Sequence, residues 1–84
     1  MNDIKPLTQR QLEFLALIAN GMRPVEIAEL CVLSRGTVNA TIDKARQRIG
    51  ARNNSQAVVL AIAREELGLA HDGQCFISNR GLKQ

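Results

Sequence analysis

Residues Glu26 to Ile49, EIAELCVLSRGTVNATIDKARQRI, constrain the fold more than any other part of this chain. Ile27, Ala28 and Cys31 supply the apolar positions of a short helix that ends near Cys31, and Val32-Leu33-Ser34 makes a tight turn. Ser34 is a residue type that opens helices, because its hydroxyl accepts a first-turn N–H that has no backbone partner. From Arg35 a second apolar period begins: Val38, Ile42, Ala45 and Ile49 fall within one narrow arc at about 100° per residue. Helix, short turn and basic helix form the layout of a helix-turn-helix, whose second helix enters the DNA major groove.

The face opposite that arc holds Gly36, Ala40, Asp43, Lys44 and Gln47, with Asn39 and Arg46 on one flank and Arg48 on the other. Small residues there let a helix backbone approach a base edge closely. The formal net charge is only +3, so its placement matters more than its size. Arg35, Lys44, Arg46, Arg48 and Arg52 cluster in this stretch, and Asp43 is the one acid between Arg35 and Arg52. A solvated surface helix is the plain alternative. The preceding turn and the clustered charge favour groove reading.

Two helices flank this unit. Thr8 and Gln11 make a capping box, with Leu7 and Leu12 placed as a hydrophobic staple. Leu12, Leu15, Ala16 and Ala19 form the apolar stripe of the first helix, widened by Phe14, Leu17 and Ile18, and Gly21 ends it in the left-handed conformation. Pro24 opens the second helix at the position where its missing N–H has no partner, and Glu26 suits the dipole there. Val25 and Leu30 extend its apolar surface. Arg23 stands where Ser or Thr usually caps, and it reads either as a solvated arginine or as a phosphate contact beside a helix start.

Gly50 is the next C-cap, Arg52-Asn53-Asn54 is a polar loop, and Asn53 or Asn54 caps a fourth helix predicted to reach about Leu67 before Gly68. Its Ala57–Ala63 run, AVVLAIA, is apolar on every side and needs cover on every side. A three-helix domain covers one face. A second copy of the protein, meeting at Val58, Val59 and Ile62, would cover the other. The alternative is a tail that folds back, for which Phe76 and Ile77 are candidates. Gln74–Ser78 reads as a short strand or a tethered segment.

Other classes of function find little support. The two aromatics, Phe14 and Phe76, are too few for a single-strand stacking platform. Cys31 and Cys75 lack CxxC spacing and read as reduced thiols, and His71 has only Asp72 beside it, so no metal or other cofactor is expected. No nucleophile–base pair or phosphate-binding glycine loop suggests an enzyme. The N-terminus lacks a signal pattern and no apolar run approaches membrane-spanning length, so the expected setting is cytoplasmic and, when bound to DNA, nucleoid-associated. Met1 stands a few residues before the first helix, which suggests a free-standing domain with no sensory or receiver domain ahead of it. The expected organisation is a DNA-binding domain over 1–69 and a tail of open role over 70–84.

Taken together, Leu7-Thr8, the helix to Gly21, Glu26-Ile27-Ala28, Leu33-Ser34, Thr37-Val38, Ile49-Gly50 and Ala57 resemble the LuxR/GerE-type helix-turn-helix, with its spacing kept without gaps over about Leu7 to Leu67. The resemblance implies an all-α fold of four helices with a short C-terminal tail, the third helix in the major groove and the fourth as dimer interface. It implies base-reading positions at Asn39, Ala40 and Asp43, and Thr37 near the backbone. The chain departs from the family pattern at Asn39 (usually Lys), Thr41 (usually His), Asn54 (usually Arg) and Cys31 (usually Leu), so a relative's target sequence does not transfer. Asn39 suits adenine and Asp43 a cytosine amino group, while Asp43 equally suits repelling phosphates and pairing with Arg46 or Gln47. The expected function is a homodimeric, sequence-specific transcriptional regulator on double-stranded DNA. Two alternatives stay open: an interaction protein that sequesters a related regulator through the fourth helix, or a promoter binder resembling the last domain of a sigma factor, working with RNA polymerase.

Overall fold

The computed structural model describes residues 6–78. Four helices run in order, α1 (Gln9–Ala19), α2 (Pro24–Cys31), α3 (Arg35–Ile49) and α4 (Asn54–Ala63), followed by strands β1 (Leu67–Leu69) and β2 (Cys75–Ile77). The strands form an antiparallel hairpin in which Gly68 faces Phe76. The four-helix domain expected from the sequence is therefore present, with a small hairpin added to it.

Helix starts follow the sequence. Thr8 and Gln11 complete the capping box, with Gln11 N–H donating to Thr8 Oγ1 at 3.1 Å and Thr8 N–H to Gln11 Oε1 at 2.9 Å. Ser34 caps α3 by accepting Thr37 N–H at 3.0 Å. Asn53 caps α4 by accepting Gln56 N–H at 2.8 Å.

Helix ends share one device. Gly21, Val32, Gly50 and Glu65 all have positive φ. After each, the next amide donates back to the carbonyl five residues earlier: Met22 to Leu17, Leu33 to Ala28, Ala51 to Arg46 and Glu66 to Ala61, at 2.8–3.0 Å. This is the Schellman closure, which satisfies carbonyls left open at a helix end. At Glu65 it corrects the sequence expectation for α4, which stops at Ala63 and not near Leu67. Leu67 is instead a buried strand residue.

The core has two clusters. Phe14, Ile27, Ala28, Val38 and Ile42 join α1, α2 and the first half of α3. Leu7, Leu12, Leu15, Ala16, Ala45, Ala57, Ala61, Leu67 and Cys75 join α1, the second half of α3, α4 and the hairpin, and Ile18 packs against both. Leu7 and Leu12 meet the staple expectation, both being fully buried. Ala19 and Leu30 do not belong to the core: both side chains face solvent, Ala19 because it lies at the outer edge of the α1 stripe.

The tail does fold back in its described part. Cys75 is buried and Ile77 packs on the second cluster, whereas Phe76 is half exposed and lies over Gly68. A Cβ at Gly68 would sit 2.6 Å from the Phe76 ring, so glycine is needed there for that close approach. Asn20 holds β2 from the α1 side. Its side-chain amide donates to Cys75 O at 3.0 Å and its Oδ1 accepts Cys75 N–H at 2.7 Å. The Ala57–Ala63 run is thus shared out: Ala57 and Ala61 are buried, Val58, Leu60 and Ile62 half-buried, and Val59 and Ala63 exposed.

Candidate nucleic-acid interface

Burial of Val38, Ile42 and Ala45 decides which side of α3 is free. Gly36, Thr37, Asn39, Ala40, Asp43, Lys44, Gln47 and Arg48 are all exposed, as is Arg35 at the helix start. Ile49, the fourth residue of the core arc, is half-buried against the α4 cluster. The helix start is braced by hydroxyls: Ser34 Oγ donates to Thr37 Oγ1 at 2.9 Å, and Thr41 Oγ1 donates to Thr37 O at 2.9 Å. Both bonds hold side chains against the helix, so its first turns present a fixed surface.

Individual charges fare differently. Asp43 pairs with Arg46 across one turn of the helix, with side chains 51% and 33% exposed, so much of the positive charge of Arg46 is met within the face. Arg48 Nη1 donates to Pro6 O at 3.0 Å, tying the end of α3 to the segment before α1. Lys44 enters no ion pair among the described residues. Arg52 lies off the helix in the α3–α4 loop, its N–H given to Gln56 Oε1 at 2.7 Å and its side chain exposed.

Arg23 is solvated and also paired within its own turn. Its side chain is 74% exposed and lies 3.5 Å from Glu26, whose Oε1 accepts Arg23 N–H at 2.8 Å. That backbone hydrogen bond, then the guanidinium, holds the Glu26 carboxyl below its ordinary range. The second half of a capping box therefore forms without a capping side chain at Arg23.

The turn carries a feature the sequence did not announce. Val32 has φ 56° and ψ 49°, and the residue is 89% exposed. A β-branched residue in this conformation is strained. Among the described residues no cluster of His, Cys, Asp and Glu could hold a metal, and no helix is long and apolar enough to cross a membrane.

The Val58–Ile62 side of α4 borders a shallow apolar groove with Ile18, Ala19 and Leu69. Val59 points away from it and into solvent.

With this geometry in view, comparison with known proteins is direct. Residues 5–61 match the family of bacterial regulatory proteins called the luxR family. The chain belongs to it. Within the luxR family, "Uncharacterized transcriptional regulatory protein YxjL" of Bacillus subtilis is 40% identical over 58 residues, covering 69% of this chain and 27% of that protein. "Response regulator RamR" of Streptomyces coelicolor is 43% identical over 53 residues, covering 63% and 26%. Among solved structures, the Vibrio cholerae VqmA–ligand–DNA complex aligns at TM-score 0.65 and 30% identity over 100% of this chain and 33% of that one. The VqmA dimer without target DNA aligns at TM-score 0.66 and 30% identity, over 99% and 33%. This luxR-family chain thus spans between a quarter and a third of the length of the proteins it matches.

Proposed function

We propose that this chain is a transcriptional regulator that binds double-stranded DNA sequence-specifically as a homodimer, with α3 in the major groove. The observation that carries the reading is the free face of α3. It is polar, contains Gly36 and Ala40, starts from a capped and braced turn, and lies opposite the buried Val38, Ile42 and Ala45. Arg35, Lys44, Arg48 and Arg52 then act as phosphate contacts, while Asn39, Ala40, Asp43 and Gln47 meet base edges. Arg46 joins the phosphate contacts when its pair with Asp43 opens, and Thr37 sits near the backbone. Arg23, exposed beside the start of α2, adds a peripheral contact.

The dimer reading is supported by Val59, exposed on a helix that is apolar all round, and by the groove beside Val58 and Ile62. VqmA, to which the chain is similar, is described as a dimer and in complex with DNA. Pairing α4 about a two-fold axis would set two copies of α3 about 34 Å apart, one turn of DNA. The sequestering alternative, in which α4 captures a related regulator, is favoured by one observation: Asp43 neutralises Arg46 on the very face that would meet DNA.

A genomic binding selection with purified protein at two salt concentrations tests the DNA reading. Enrichment of a two-fold symmetric duplex is expected, and enrichment of none overturns it. Sedimentation at tens of micromolar tests the dimer. A Val59→Asp variant should be a folded monomer that binds the full site weakly, and a wild type that stays monomeric with and without operator overturns that part.

A further inference from the structure

The cationic flank of α3 continues onto α1. Lys44, Gln47 and Arg48 line a polar cleft together with Gln11, in the first turn of α1. Gln11 is 6% exposed, yet its side chain is only partly satisfied. Its Oε1 accepts Thr8 N–H, while its Nε2 donates to no protein group among the described residues and is open to solvent in the cleft. A side chain held by its carbonyl in a capping bond therefore offers a fixed donor to whatever acceptor enters the cleft. Arg48 is fixed beside it by the bond from Nη1 to Pro6 O, which leaves its remaining donors free, and Lys44 lies one turn earlier. Among the described residues no carboxylate lines the cleft. The positive end of the α1 dipole adds to the same sign.

We propose that this cleft grips one backbone phosphate of the DNA, with Lys44 and Arg48 supplying charge and Gln11 Nε2 a hydrogen bond. The proposal rests on the DNA-binding reading above. A helix about 10–12 Å across fills a major groove about 12 Å wide, so the strands that wall the groove pass along its flanks. The flank toward α1 is the one that carries Lys44 and Arg48. The first helix thereby becomes a contact element in its own right, and Gln11 both caps it and positions it on the strand.

Gln11→Glu is the test. Glutamate keeps the acceptor that the capping box needs, so α1 should form as before, but it puts a carboxylate in place of the donor. Affinity for any duplex should fall about eightfold at 0.1 M salt, and the slope of log K against log salt should lose about 0.9, the share of one phosphate. The Gln11 side-chain amide signal of the wild type should also shift on adding duplex and stay in place on adding sodium chloride alone. Unchanged affinity and slope in Gln11→Glu, in a protein whose Arg35→Ala variant binds more weakly, would overturn the cleft and leave the DNA reading standing. A wild type that binds no duplex would overturn both.

Discussion

Asp43→Asn is the substitution with the most to say about this interface. Asp43 carries the one negative charge of the face and pairs with Arg46, both side chains being substantially exposed. Exposed pairs one helical turn apart contribute about 0.3–0.5 kcal/mol, so thermal stability should move by no more than about 2–4 °C. The effect on DNA should be larger and opposite in sign. Freed from its partner, Arg46 can neutralise a further phosphate, which steepens the salt slope by about 0.9 and raises affinity about eightfold at 0.1 M salt. Removing a like charge about 8 Å from a phosphate adds about 0.5 kcal/mol, a further doubling. Both gains apply to any duplex. Any hydrogen bond from a cytosine amino group to Asp43 would be lost only on the preferred site, at about 1–3 kcal/mol. The variant should therefore bind more tightly and choose less well. Fluorescence anisotropy with the selected site and a scrambled duplex, between 50 and 300 mM salt (roughly the range where the slope is linear), reads both quantities. Scrambled-duplex affinity and slope equal to wild type would refute the reasoning, because Arg46 would then be no more available without Asp43 than with it.

Val32→Gly should stabilise the domain by about 0.5–1 kcal/mol, the relieved left-handed strain exceeding the extra chain entropy, and raise the melting midpoint by about 4 °C. Gly36→Ala meets only Ser34 Oγ at 3.9 Å and should stabilise α3 by about 0.5–1 kcal/mol, while weakening specific binding if the backbone approaches a base there; thermal melts and anisotropy read the two sides separately. Asn20→Ala removes both bonds to Cys75 and should cost about 1–3 kcal/mol, with hydrogen exchange of Cys75 N–H and the hairpin amides speeding up before that of α3. Burial pushes the Cys75 thiol up, so it stays protonated in the fold while the unfolded chain ionises near 9.0. Stability should therefore decline as pH rises past that value, and native alkylation near pH 8 (roughly where a free thiol begins to react) should label the half-buried Cys31 before Cys75, as mass spectrometry would show.

What the sequence announced and what it hid divide along helix ends. Three starts were legible through a side chain suited to capping, Thr8, Ser34 and Asn53, and that of α2 through Pro24 at its first position. Ends were legible at Gly21 and Gly50, where glycine marks the left-handed residue. At Glu65 the same closure uses a residue with no such preference, so the fourth helix looked longer and β1 looked helical. The turn between α2 and α3 was placed correctly, but nothing in Val32 signals its conformation. The free face of α3 followed from periodicity alone. Contacts between distant segments did not: the Arg48 bond to Pro6 O and the Asn20 clamp on Cys75 join residues 42 and 55 positions apart, and one chain carries no signal of such pairs. The place of Gln11 beside Lys44 is hidden for the same reason.

The division of the core has a consequence for how such a protein can change its target. α3 rests on two bearings, Val38 and Ile42 against α2 and Ala45 against α4. At the second bearing the fully buried residues of α3 and α4 are all alanines, Ala45, Ala57 and Ala61, with Ile49 half-buried beside them. Alanine has no rotamer with which to absorb an added methylene, so a larger residue there must move a backbone. The easy motion is a pivot of α3 about its first bearing, and along a helix of 15 residues, about 22 Å, a few degrees displaces the far end by about an ångström. That end carries Gln47 and Arg48, while Asn39 and Ala40 lie near the pivot. Substitutions behind the helix, touching no nucleotide, could thus retune the grip on the strand while the base-facing end keeps its aim.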